Sequence, residues 1–327
     1  MNNGKKHITA NLQKLKAIIS FTILLFTVFF AACSTPTISS DDSDENNFSR
    51  RTIQDDNVSS SSINEGNGDG QSSSSKKNAK SSSSVEQSGS RSSSSGKVDC
   101  SALLDGKTGW SWDVPKECRF NPDIDYGTMT DDRDGKVYKI VEIGDQTWMA
   151  ENLNFDPGQG GSGEDKYDWS WCYNDESKNC EVAGRLYTWA AAMDSVKTGC
   201  GYDSKCLPTL PVQGLCPKGW HLPTETEWKA LFKAVGGQST AGKELKTQSG
   251  WYSNGNGSDA FGFFALPVGF SDYYGDFSYD SYHAYFWSAS ENDGYGACNM
   301  VLNSDDDEAF LDGYVKALGF SVRCVKD

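Results

Sequence analysis

Aromatic side chains crowd two stretches of this chain, and the chemistry they offer is recognition. Trp169, Trp171 and Tyr173 stand close together, and Tyr273, Tyr274, Phe277, Tyr279, Tyr282, Tyr285, Phe286 and Trp287 follow in a second run. Flat rings stack on the apolar faces of sugars, and neighbouring Asp or Asn side chains bind hydroxyls. Trp169, Trp171, Tyr173, Tyr273, Tyr274 and Tyr282 are therefore the candidate ligand-binding residues. The competing use of such rings is core packing, since each buries a large area.

Catalytic alternatives are thin. The chain has 3 histidines, and only His221 and His283 fall in the part expected to fold. That excludes a His-rich zinc site and leaves few members for a Ser–His–Asp triad. His221, between Trp220 and Leu222 at a helix entry, reads as structural. No GxSxG, HExxH, phosphate-loop or dinucleotide fingerprint occurs. Carboxylates abound, but no pair stands out as a glycosidase acid and nucleophile. Asp131, Asp132, Asp134 and Gly135 lack the alternating ligands and closing Glu of an EF-hand, so they read as an acidic turn before a strand. No catalytic residue, metal or cofactor is expected.

The 10 cysteines point to an oxidising compartment. Local spacing suggests the pairs Cys100–Cys118, Cys172–Cys180 and Cys200–Cys206. Cys33 belongs to a targeting segment, and Cys298 is left over, as a buried free thiol or as half of an intermolecular pair. No neighbour that would stabilise a thiolate is visible beside it.

The segment that would place the chain in such a compartment is at its start. Lys5, Lys6, Lys14 and Lys16 precede an apolar run from Ala17 to Ala32, short for a membrane-spanning helix and suited to a signal peptide. Phe30-Ala31-Ala32-Cys33 resembles a lipoprotein cleavage box, which makes residues 1–32 the signal peptide and Cys33 the lipidation site. Ser34, where an Asp would favour inner-membrane retention, points to an outer-membrane lipoprotein facing the exterior. Residues 33–98 are poor in apolar side chains and carry four blocks of four serines, at 59–62, 72–75, 81–84 and 92–95. Such a segment is expected to be a disordered tether, with a reach of roughly 45 Å. From Asp99 onward there are 19 Lys and Arg against 36 Asp and Glu. That balance argues against nucleic acid and against electrostatic docking on anionic lipid, so the expected membrane contact is the acyl anchor alone.

Several elements must position the candidate aromatics. Cys100 and Cys118 bracket a short lead-in, 99–127, containing Trp110 and Trp112. Alternation over 137–143, a Gly144-Asp145 turn and Gln146-Thr147-Trp148-Met149 predict a hairpin. GRLYTWAAAMDSV (184–196) has the spacing of a short helix. In CPKGWHLPTETEWKALFKAV (216–235), Thr224 and Glu227 fit a capping box, and Trp228, Leu231, Phe232 and Val235 form an apolar face. AGKELKTQSGW (241–251) predicts a shorter helix ended by Gly250. Strands are expected after the loop at 254–270, at WSASE (287–291), around 297–303 and at GFSVRCV (319–325), with an acidic turn at Asp305–Glu308. Short strands, two or three helices and long loops make one disulfide-bonded α+β domain.

The run 128–327 resembles the Fibrobacter succinogenes major paralogous domain. The residues that carry the resemblance are DGKVYKIVEIGDQTWMAENLN, GRLYTWAAAM, CPKGWHLPTETEW, FWSASE and the terminal GFSVRCVKD. The resemblance implies an exported module of fibre-degrading bacteria with no assigned molecular activity. GWHLPTETEW paired with a closing GFSVRC strand is also similar to C-type-lectin-like and sulfatase-modifying-factor-like domains. A lectin-like fold would bring Cys216 and Cys324 together as the long-range disulfide. The catalytic cysteine pair of the sulfatase-modifying enzymes has no counterpart to carry over. Three readings stay open: a surface-displayed, non-catalytic module binding plant cell-wall polysaccharide; a structural or protein-interaction module binding an envelope protein; and a two-carboxylate hydrolase.

Overall fold

The computed structural model describes residues 98–158 and 169–327; the signal segment, Cys33 and the serine-rich tether lie outside the described residues. Alternation produces β2 (Val137–Ile143), and Gly144, at φ 62°, turns the chain into β3 (Gln146–Met149) with Val141 opposite Trp148. A left-handed turn position of this kind is where glycine carries no steric penalty. An unanticipated strand, β1 (Gly127–Thr130), pairs on the outer side of β2. On the inner side, β3 pairs with β13 (Val325–Lys326), which pairs in turn with β6 (Trp220–His221). The final strand is thus held between the hairpin and the entry to the main helix.

A second sheet is built around β9 (His283–Glu291), flanked by β10 (Gly296–Asn303) and β11 (Ala309–Val315) as an antiparallel meander. Its other half runs through β12 (Phe320–Ser321), parallel to β9, to β5 (Leu186–Tyr187) and β4 (Ser170–Trp171). β7 (Val268–Ser271) also meets β9 in parallel and carries β8 (Phe277–Asp280). The architecture is α+β. Among the described residues, two helices exceed two turns, α5 (Glu225–Ala234) and α6 (Gln238–Leu245). The others, α1 (Cys100–Leu104), α2 (Ser177–Ala183), α3 (Trp189–Ala192) and α4 (Ser195–Thr198), are short.

The capping box of α5 is formed. The Thr224 hydroxyl accepts from the Glu227 N–H, and the Glu227 carboxylate accepts from the Thr224 N–H at 2.8 Å. Trp228, Leu231, Phe232 and Val235 are buried as the spacing requires, each contributing about 1.5–3 kcal/mol of apolar transfer. Trp228 stacks on Trp148 at 4.8 Å, with Phe263 and Phe286 edge-on or tilted around the pair.

Three expected elements differ. Residues 184–196 are not one helix: the backbone of Leu186–Tyr187 is taken by β4 and β12, and Thr188 caps only a four-residue α3. The helix expected from 241 begins at Gln238 and stops at Leu245, because Lys246 is extended and the Thr247 N–H donates to Ala265. The closing strand splits in two, since the chain leaves the second sheet at Ser321 and enters the first at Val325.

All four expected disulfides are present, Cys100–Cys118, Cys172–Cys180, Cys200–Cys206 and Cys216–Cys324. The last joins residues 108 apart, where loop closure in the unfolded chain accounts for about 4.7 kcal/mol. Cys298 is also disulfide-bonded, and no cysteine among the described residues is free, so the expectation of a free or intermolecular Cys298 is corrected. Cys33, the expected lipidation site, lies outside the described residues.

At the crossing between sheets, the Arg323 side chain is fully buried. Its Nη1 donates to the carbonyls of Met149 (3.2 Å) and Phe263, and its Nη2 to Asn152 Oδ1 (2.5 Å) and the Phe264 carbonyl. Burial lowers its pKa to about 9. One guanidinium therefore joins the Met149–Asn152 segment, the Phe263–Phe264 loop and the closing chain. Replacing it with Met leaves these acceptors without a donor, so R323M is expected to cost about 3–5 kcal/mol in denaturant unfolding under non-reducing conditions.

Candidate functional site

The fold divides the six candidate aromatics. Tyr173 is buried, stacked on Trp112 at 4.7 Å and against Phe277 at 5.1 Å. It belongs to the seam between the lead-in and the main domain and leaves the candidate surface. Trp171 is also buried, but one edge stays accessible beside Trp169, with ring centroids 6.4 Å apart and planes 21° from parallel. These two rings wall an open depression of about 430 Å³, completed by Asp175, Arg185 and Tyr274.

Tyr273 and Tyr274 top the turn between β7 and β8. Asp272 Oδ1 accepts from the N–H of Tyr274 (2.8 Å) and of Asp276 (2.9 Å), which fixes the turn. The two rings sit 4.2 Å apart, and Tyr274 is 70% exposed. Tyr282 is exposed too, but at the opposite end of β8, where it pairs with Tyr252 at 4.6 Å. The structure therefore joins Trp169, Trp171, Tyr273 and Tyr274 and separates Tyr282 from them.

Arg185 is held in place at the depression. Its Nε donates to Ser170 Oγ at 3.1 Å, and its Nη1 faces Asp156 Oδ2 at 3.1 Å. The planar cation is thus oriented and largely neutralised. A smaller polar cavity of about 200 Å³ lies by Tyr138, Glu151 and Asn154. Its Glu151 carboxylate is engaged by the Lys139 N–H (2.7 Å) and the Lys116 ammonium. In the acidic turn, Asp131 is buried and takes Arg133 Nε (2.8 Å) and Nη2 (2.6 Å).

A buried lysine supports the loops around the depression. Lys316 is fully buried, 4.5 Å over the Trp189 ring. Its ammonium donates to the carbonyls of Gly201 (3.1 Å), Ser204 (2.9 Å) and Gly294 (3.1 Å) and to the Glu291 carboxylate. Glu291 in turn accepts from the Cys206 N–H at 3.0 Å. The loop closed by Cys200–Cys206 and the turn at 292–296 are therefore gathered on one internal cation. Three residues on, Gly319 exchanges backbone hydrogen bonds with Ser271 at the foot of the Tyr273–Tyr274 hairpin, and a Cβ there would meet the Trp171 ring at 3.0 Å.

The family model described as the Fibrobacter succinogenes major domain matches residues 141–326. The chain belongs to this family. The match takes in the depression, Lys316, Arg323 and the Cys216–Cys324 bridge, and it leaves the lead-in outside. No curated protein and no solved structure matches the chain. The lead-in nevertheless packs onto the family domain. Trp112 Nε1 donates to Asp280 (3.0 Å), and Asn121 Nδ2 to the Asp259 carbonyl (2.9 Å).

Sequence reasoning missed Lys316 and the exposed rings of Tyr252 and Tyr295. A sequence signal for Lys316 existed: it is a lone cation in the apolar run YVKALGF. His221, read as structural, is braced between Asp327 Oδ1 (2.7 Å, at Nδ1) and Glu227 Oε1 (2.6 Å, at Nε2). Burial alone lowers its pKa, but these two carboxylates outweigh burial and raise it. A raised folded pKa gives stability that is full below the unfolded value near 6.5 and is lost as pH rises through the folded value. Asp259, raised to about 7 mainly by burial, acts in the same direction. The His221 contribution to unfolding free energy should therefore fall as pH rises above 6.5, and the Asp259 contribution between 3.8 and about 7; His283, whose pKa burial lowers, adds the opposite slope below 6.5, so the His221 share is read as the difference in slope between the parent chain and H221N. K316M should leave Glu291 buried beside unpaired carbonyls, costing about 3–5 kcal/mol. Hydrogen exchange at the 201–206 and 292–296 amides checks where the loss is local.

Proposed function

We propose that this chain is a non-catalytic binding module for plant cell-wall polysaccharide, displayed at the cell surface on a lipid-anchored tether. The observation that carries the reading is the open depression in which Trp169, an edge of Trp171 and Tyr274 face Arg185 and Asp175. Aromatic rings supply stacking faces for sugar rings, while the fixed cation and the carboxylate supply hydrogen bonds to hydroxyls. The acidic balance of the folded part fits a neutral ligand better than a polyanion. In this reading the lipid on Cys33 and the tether supply attachment and reach, and the folded part supplies recognition.

A second reading, a protein-interaction module of an envelope assembly, draws on three exposed apolar side chains, Val196 on α4 and Leu207 and Leu210 in the loop that follows. Pull-downs on insoluble cellulose, xylan and mannan separate the two. The polysaccharide reading expects retention on at least one of them, weakened about 3- to 10-fold by W169A or Y274A. Retention on none, with saturable binding to an envelope protein, would transfer the assignment to the second reading.

A further inference from the structure

The segment Lys316–Gly319 links four loops that carry aromatic side chains. Its first residue holds the carbonyls of Gly201 and Ser204, on either side of Tyr202, and its backbone N–H donates to the Tyr295 carbonyl at 2.9 Å. Its backbone carbonyl accepts from the Trp189 N–H at 3.0 Å, next to Thr188, whose N–H donates to the Trp169 carbonyl at 2.9 Å. Its last residue is bridged to Ser271, at the foot of the Tyr273–Tyr274 hairpin, and lies under Trp171. Four loops remote in sequence are therefore assembled side by side.

Beyond the depression, the rings continue. Tyr202 meets Tyr295 edge-to-face at 5.6 Å, and Tyr295 is 55% exposed. The Tyr295 turn is built like the Tyr274 turn, with Asp293 Oδ1 accepting from the N–H of Tyr295 (2.8 Å) and of Gly296 (2.7 Å). The three-residue step from Lys316 to Gly319 sets the foot of the Tyr273–Tyr274 hairpin near the loops that carry Tyr202 and Tyr295. Asp175, Asp203, Asp276 and Asp293 stand exposed along the row, whereas Arg185 and Lys316 are committed to Asp156 and Glu291.

We propose that Trp169, Tyr274, Tyr273, Tyr202 and Tyr295 form one extended aromatic track that binds a neutral, unbranched glycan chain along several consecutive sugar rings. This rests on the polysaccharide reading above and adds the form of the ligand: the interior of a long chain, with neither a free sugar nor a chain end required. Exposed carboxylates beside the rings repel a uronate polymer, and rings carried on separate, braced loops offer successive stacking positions.

The test is calorimetric titration of the full chain with neutral β-1,4-linked oligosaccharides of two to six sugars, and with polygalacturonate, using Y202A, Y295A, W169A and Y252A. The track expects affinity to rise at least 10-fold from the dimer to the hexamer. It expects Y295A and Y202A to weaken hexamer binding about 3- to 10-fold with little change for the dimer, W169A to weaken both, and Y252A to change neither. Binding that is independent of chain length, or insensitive to Y295A and Y202A, overturns the track while leaving the polysaccharide reading standing. Preference for polygalacturonate overturns the neutral-ligand assignment. Failure to bind any oligosaccharide or insoluble glycan overturns both.

Discussion

The structure depends on one buried guanidinium. Arg323 sits where the chain crosses from the second sheet to the first, and its four hydrogen bonds reach the Met149–Asn152 segment and the Phe263–Phe264 loop. A charge removed from water is costly unless every acceptor around it is well placed. That requirement fixes the Met149–Asn152 backbone, the Phe263–Phe264 loop and the closing chain relative to one another. The Cys216–Cys324 bridge acts beside it, holding the entry of α5 to the neighbour of Arg323. The hydrophobic stack of Trp148, Trp228, Phe263 and Phe286 then fills a space whose walls are already set.

Lys316 applies the same physics nearer the surface. A single buried ammonium collects three carbonyls and a carboxylate, and so orders two loops that contain little regular structure. Lys246 does similar work on the acidic turn, donating to the carbonyls of Asn303 (2.9 Å) and Asp306 (2.7 Å). Internal cations supplied by the chain itself thus brace the long loops that carry the aromatic side chains. Frame and proposed recognition surface are carried by different residues, so substitutions on the rings should be separable from substitutions that unfold the domain.

Much of the frame was legible in the sequence because its signals are local. The Thr224–Glu227 capping box, the Val137–Met149 hairpin and the three short-range disulfides each follow from residues a few positions apart. Cys216–Cys324 was legible only through resemblance to a fold that brings those ends together. The errors arose where long-range pairing overrode local preference. Leu186 and Tyr187 have helical spacing with Trp189, yet their backbone is required by β4 and β12. The candidate surface was half legible. Aromatic crowding marked Trp169 and Tyr274, but nothing local distinguishes Tyr173, a seam residue, from its neighbours. Nor does spacing show that Tyr282 lies at the far end of β8, or that Lys316 draws Tyr202 and Tyr295 to the same side.

The central claim is that recognition belongs to the loops gathered on Lys316–Gly319 and not to the interior they rest on. Its most direct test is an NMR titration of the isotope-labelled folded part with a neutral β-1,4-linked hexasaccharide. The account predicts shifts concentrated at the Trp169 indole N–H and at the amides of Tyr202, Tyr273–Gly275 and Tyr295, with the Trp228 and Trp251 indoles unmoved. Shifts centred on Tyr252 and Tyr282, or on the polar cavity beside Glu151, would contradict it.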